Sequence, residues 1–246
     1  MMPKPPEMIR FAAPILALLA LCAAPARAET DVGALAALLA GTHVGADNPS
    51  VSGVGGGALL ELTQKWDRFR IHLEGIPHVS VSGTAPTNGF GKSVASLSIL
   101  NATAMVDLDA HQRVRAGAGF QLVNLSNFNG NNGDTNYARV ASPRFEIDSE
   151  LPMAGRHFFA LGFAVMPNVQ GVLHAITIQN VPEIDRPEHG SEVDYSFGYG
   201  WHAGSSTYIL GVRGINYKTR NINTGELVDS NVGAGLTFEA RFPIIR

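Results

Sequence analysis

Arg68, Arg70, His72 and Glu74 recur at every second residue, as do Arg113 and Arg115, then Arg144, Glu146, Asp148 and Glu150, and later Glu192 and Asp194. A spacing of two puts each set on one face of an extended strand. Asp107, Arg213, Glu239 and Arg241 extend the same kind of row. Three chemistries suit mixed charges held this way: carboxylate pairs working as acid and base, a narrow polar path for small solutes, or an ion-pair network that fills a closed space. We read the network. Inside a closed barrel of eight to ten strands the lumen is barely wider than its side chains. A charge left unpaired there costs several kcal/mol, so both signs must be present.

Other reactive types are scattered. His78, Ser80 and Ser82 fall at one strand end, while His174, His189 and His202 lie elsewhere. No Gly-x-Ser-x-Gly elbow accompanies them. Glu183, Asp185, Glu188, His189 and Glu192 gather in one segment, but their oxygen spacing matches no cation-binding loop, and solvated charge is the expectation. The run from Asn127 to Asp134 resembles a calcium loop without its closing glutamate. Gly53-Val-Gly-Gly-Gly-Ala58 mimics a dinucleotide fingerprint without a strand–turn–helix unit, so these read as strand glycines. No catalytic residue, metal site or cofactor is expected.

The elements that hold the charged rows show on their opposite faces. In the segment from Ser191 to His202, Glu192, Asp194, Ser196, Gly198, Gly200 and His202 share one parity. Val193, Tyr195, Phe197, Tyr199 and Trp201 share the other. Phe69 and Ile71, Phe120, Phe159 and Phe163, and finally Phe238 and Phe242 repeat the arrangement on other segments. Large apolar and aromatic groups opposite carboxylates and glycines suit a strand with lipid on one side and a wet, crowded lumen on the other. The same parity also fits a soluble lipocalin-like barrel with an apolar cavity, its faces inverted. Periodicity alone leaves that inversion open.

Strands are expected at about 53–63, 67–80, 94–109, 112–125, 137–151, 155–167, 190–203, 206–219 and 230–243. Nine is awkward for a closed antiparallel meander. Residues 33–45 therefore supply a tenth strand, or 53–63 lies outside an eight-stranded core; we favour ten. A short helix at 31–39 is the competing reading of that Ala/Leu-rich stretch. Leu97 and Ile99 break phase with Ala102, Ala104, Val106 and Leu108, which calls for a bulge near Leu100. Short turns at 64–66, 109–111, 152–155 and 203–205 alternate with long loops at 81–93, 126–136, 168–189 and 220–229, rich in Asn, Gly, Asp and Pro. A further strand at 172–180 would lie within the third of these loops. Trp66, Tyr137, Tyr199, Trp201, Tyr208 and Tyr217 fall near strand ends, where interfacial girdles sit.

Composition agrees. Residues 1–28 read as an export signal: Lys4 and Arg10, an apolar run from Phe11 to Ala24, and the small-x-small site Ala26-Arg27-Ala28. Leu21 before Cys22 argues against lipid attachment. Without that segment, 15 basic side chains face 20 acidic ones, and no basic patch suggests nucleic acid. The single cysteine lies in the signal, which excludes disulfides from the rest. We expect residues 29–50 to form an N-terminal segment and 51–246 an all-β, closed, antiparallel up-and-down transmembrane barrel of 8–10 strands.

These features resemble the small outer-membrane β-barrel proteins of Gram-negative bacteria, the OmpA-transmembrane-like and porin-like group. The resemblance rests on the signal, the apolar row at every second residue, and a final strand from Gly233 to Phe242. It covers roughly residues 50–246. It implies outer-membrane lipid and the barrel assembly machinery as partners, and a role in envelope structure, surface interaction or slow solute passage. Because some such barrels modify lipids with a serine and a histidine, a deacylase or acyltransferase is the alternative. One departure stands out: the chain runs past Phe242 to Arg246 instead of ending on an aromatic residue.

Overall fold

The computed structural model describes residues 29–45, 51–84, 92–129, 135–176 and 184–245. The expected export signal lies outside them. Ten strands follow in chain order: β1 (Glu29–Gly45), β2 (Val51–Trp66), β3 (Phe69–Thr84), β4 (Lys92–Asp107), β5 (Val114–Asn129), β6 (Thr135–Pro152), β7 (His157–Ile176), β8 (Ile184–Ala203), β9 (Ser206–Asn221) and β10 (Leu227–Ile245). Each pairs antiparallel with its neighbours in sequence, and β1 pairs with β10 to close the ring. The fold is a ten-stranded up-and-down barrel, so residues 29–45 are a stave of the barrel and not a separate segment or a helix. The Ala/Leu-rich sequence tolerates this because closure gives β1 a ladder partner on both sides from Thr30 to His43.

The expected bulge near Leu100 is absent: β4 pairs with β5 without a slip from Ser93 to Asp107. The slip lies in the facing strand, where β3 shifts register between Ile76 and Val79, around Pro77. Comparable shifts occur at Ala141–Phe145 and Met166–Val169, around Pro143 and Pro167. Proline cannot donate to a ladder, which is why bulges gather at these three positions. Phase breaks in β4 because Ile99 points inward, 7 % exposed, while Leu100 points outward, 46 % exposed.

Four tight connections lie at one end of the barrel, at 67–68, 108–113, 153–156 and 204–205. Asp67 (φ 50°) and Gly204 (φ 64°) make their reversals with left-handed backbone, which aspartate and glycine tolerate. Asp109 organises its turn by accepting hydrogen bonds from the backbone N–H groups of Arg113 (2.6 Å), Val114 (2.9 Å) and His111 (3.2 Å). These donors, Val114 foremost, hold its carboxyl below the ordinary aspartate value. A depressed folded-state pKa contributes stability above the unfolded value, about 3.9, and that contribution is lost as pH falls through the lower folded one. Asp109→Asn should therefore lower the thermal midpoint at pH 7, with the difference from the parent fading below about pH 3.9. Thermal melts across pH check this; a difference that persists undiminished in strong acid would contradict it.

At the other end the expected long loops are mostly strand. β7 and β8 each run 20 residues, to Ile176 and from Ile184. At about 3.3 Å per residue and a tilt near 40°, such strands rise about 50 Å, twice the apolar band of about 25 Å. The outer surface changes accordingly. Tyr195, Phe197, Tyr199, Leu161, Phe163, Leu210 and Val212 are exposed apolar groups towards the tight-turn end. Further along the same strands the outward positions become Asn168, Gln170, His189, Ser191, Lys218 and Arg220, all exposed, with Val172 the apolar exception. On β7, β8 and β9 the barrel thus carries an apolar belt and a polar extension beyond it.

Candidate functional site: a closed, charged lumen

The lumen is built from the inward positions of all ten strands, and its lowest level lies beside the tight turns. There Arg70 (β3) donates to Asp107 (β4) at 2.5 Å, and Arg115 (β5) donates to Glu150 (β6) at 3.1 Å. Arg241 (β10) reaches across the ring to the same Glu150 oxygen at 3.2 Å and also pairs with Glu239. β10 and β6 are four staves apart, so this contact spans the interior.

One level further in, Arg213 (β9) donates to Glu74 (β3) at 2.6 Å, again across four staves. Arg144 (β6) is 3 % exposed; its Nε donates to Glu146 at 3.0 Å and its Nη1 to Asp194 (β8) at 2.6 Å. Thr103 adds a hydroxyl donor to Glu146 at 3.2 Å. Low surrounding polarity strengthens each pair and makes any orphan costly. The arrangement holds the staves together by charge.

A third level lies beyond these. Gln121 (β5) donates to Glu192 (β8) at 3.1 Å, both essentially buried. Around them Ile99, Val123, Ala164, Met166, Val169 and Tyr217 form one apolar cluster, with Met166 and Val169 at 0 % exposure. These residues come from β4, β5, β7 and β9, and staves so far apart can touch only through the middle of the ring. Arg144 Nη1, 3.6 Å from Met166 Sδ, joins the charged level to this plug.

Of the charged residues singled out in the sequence, Arg70, His72, Glu74, Asp107, Arg115, Arg144, Glu146, Asp148, Glu192, Asp194, Arg213, Glu239 and Arg241 line this interior or are buried in it. Arg68 and Arg113 do not. Both are exposed at tight turns, where the alternation starts in sequence before the strand does. Sequence reading missed Glu61 and left Glu188 among the solvated charges. Glu188 accepts from the Thr219 hydroxyl at 2.6 Å and is fully buried. The segment whose acidic residues gather in sequence is a strand, and its two-residue period sends Glu188 and Glu192 inward and His189 outward. Glu183 and the side chains of Asp185, His174, His78, Ser80 and Ser82 lie outside the described residues, as do residues 130–134, most of the calcium-like run.

The outer row holds Phe69, Phe120, Phe163, Tyr195, Phe197, Tyr199, Phe238 and Phe242 exposed, with Phe159 and Trp201 half-buried among neighbouring rings. Ile71 shares the parity of Phe69 but is only 4 % exposed, covered by its surroundings. Trp201 stacks on Tyr208 (5.6 Å) and Phe159 on Phe197 (5.6 Å), while Tyr208 meets Phe238 and Phe242 at 6.3 Å. This aromatic band sits at the tight-turn end. Tyr217, placed with the girdle by sequence position, is instead 4 % exposed inside the plug. The Tyr137 side chain lies outside the described residues. With charge inside and aromatic rings outside, the inverted, lipocalin-like assignment of faces does not hold.

No protein-family model matches the sequence, and no curated protein resembles it significantly. Solved structures do match in shape. The outer membrane protease OmpT from Escherichia coli superposes with a TM-score of 0.58 at 10 % identity, covering 88 % of this chain and 97 % of that one. The β domain of the Bordetella autotransporter BrkA gives 0.41 at 11 % identity, over 86 % and 98 % of the two chains. At such identities the likeness is one of architecture, and the protease activity belongs to OmpT. By architecture, this chain has the fold of an outer-membrane β-barrel.

Proposed function

We propose that the protein is a non-enzymatic barrel of a Gram-negative outer membrane, acting through envelope structure or its surface extension and not as an open pore. One observation carries the reading: ion pairs are buried inside the ring while an unbroken belt of apolar and aromatic side chains stands exposed outside it. Such a belt is stable only against lipid, since water would leave far more apolar surface wet than a soluble monomer carries. Outer-membrane lipid is thus its first partner. The row of Leu236, Phe238 and Phe242 on β10 is what the barrel assembly machinery would engage.

The plug argues against slow solute passage. Met166, Val169 and Tyr217 pack together inside the ring above the charged levels, and apolar packing across a lumen is a barrier to ions. The purified chain in a planar bilayer should give no steady conductance. The paired replacement Met166→Gly and Val169→Gly should open measurable current steps. Steady, ion-selective conductance of the parent would contradict the closed-lumen reading.

A further inference from the structure

Glu61 on β2 lies directly opposite Glu74 on β3, and His72 follows two residues away on the same inward face. One ligand atom from each of these three side chains falls within 4.8 Å of the others. His72 Nε2 stands 3.8 Å from Glu74 Oε2, too far for a hydrogen bond. Two ligands of one tetrahedral ion, bonded at about 2.1 Å, stand about 3.4 Å apart. The other ring nitrogen, Nδ1, is 3.0 Å from the Thr63 hydroxyl. Donation of Nδ1–H to Thr63 leaves the Nε2 lone pair facing the two carboxylates, the support that metal-binding histidines use.

Two further observations point to a cation. Glu61 is 8 % exposed and accepts no hydrogen bond among the described residues; its nearest cationic atom is Arg241 Nε at 3.7 Å. A pair this long leaves the Glu61 carboxylate room for a closer cationic partner. The cavity it faces, about 100 Å³, is lined by seven carboxylates and four guanidiniums, together with His72. With the imidazole neutral, the negative charges outnumber the positive ones by three. A larger cavity of about 350 Å³ reaches the tight-turn end at Glu29, Gln112 and Ser205 and shares His72 with the first, which supplies an entry path.

We propose that Glu61, His72 and Glu74 bind one divalent transition-metal ion, reached from the tight-turn mouth of the lumen. One imidazole with two carboxylates suits zinc and its first-row neighbours better than calcium or magnesium, which take oxygen ligands only. The ion offsets two of the excess charges and ties β2 to β3 beside the Arg213–Glu74 pair.

The test uses the barrel purified from membranes in detergent, stripped with a chelator, and titrated with Zn²⁺ by calorimetry and with Co²⁺ by visible absorption. One ion should bind per chain. His72→Ala and Glu61→Gln should each weaken binding at least about tenfold, and His72→Ala should alter the Co²⁺ spectrum. Arg68→Ala, in an exposed turn, should bind as the parent does. Gel migration with and without boiling verifies that each variant is folded; if His72→Ala is not, His72→Gln replaces it. No saturable one-to-one binding, or binding unchanged in both ligand variants, would overturn the site. Either result leaves the closed-lumen reading standing, because the plug lies on other strands.

Discussion

Arg144→Leu should destabilise the barrel by about 3–5 kcal/mol, the cost of leaving buried charge without its partner. Arg144 serves two carboxylates at once, Glu146 and Asp194, and both are nearly enclosed. Asp194 Oδ1 already lacks a hydrogen-bond partner, so losing the contact at Oδ2 strips that group entirely. Chemical unfolding in detergent micelles reads the loss directly. Removing Asp194 as well should recover part of it, since the two substitutions delete one shared interaction and cannot add. Arg68→Ala is the contrast: the same residue type in an exposed turn should change stability by no more than about 0.5 kcal/mol. Equal effects at the two positions would mean that the lumen pairs contribute nothing.

Phe197→Arg should cost about 2–4 kcal/mol in phospholipid vesicles, the penalty for a cation on the lipid face near the bilayer midplane. Phe197 is 51 % exposed and sits at the centre of the outward row from Val193 to Trp201. Lys218 and Arg220 already occupy outward positions on the extension, so Ser191→Arg, beside Lys218, should be nearly neutral. The depth dependence is the diagnostic. A barrel bathed in water would tolerate an arginine at 197 as readily as at 191, because neither side chain is buried by protein.

Much of this architecture was legible from spacing alone, because a closed antiparallel ring forces every strand to alternate between two different solvents. β8 shows it best: Glu192 and Asp194 point in, Tyr195 and Phe197 point out. Legibility failed wherever that contrast disappears. Beyond the belt the outward positions Asn168, Gln170 and His189 are polar, so residues 168–176 and 184–189 read as loop although they are strand. At Pro77, Pro143 and Pro167 a bulge resets the phase, and no count of parity crosses it. Glu61 was hidden for the opposite reason. Leu59, Leu60 and Leu62 surround it in sequence, with Leu59 inward at 2 % and Leu60 outward at 60 % exposure, so both parities look apolar. Arg68 and Arg113 erred by anticipation, starting a strand's rhythm one step early, in the preceding turn.

The plug was invisible for a further reason. Ile99, Val123, Met166 and Tyr217 are far apart in sequence, and only the register of four strands brings them to one level. Each alone looks like an ordinary strand residue. Their convergence needs the ring.

The most direct test of a lipid-embedded, closed barrel is fractionation of a Gram-negative cell expressing the chain, followed by gel migration with and without boiling. The chain should be recovered in the outer membrane, with the unboiled form migrating differently because the closed ladder resists detergent. Recovery in the soluble periplasm, with identical migration before and after boiling, would contradict it.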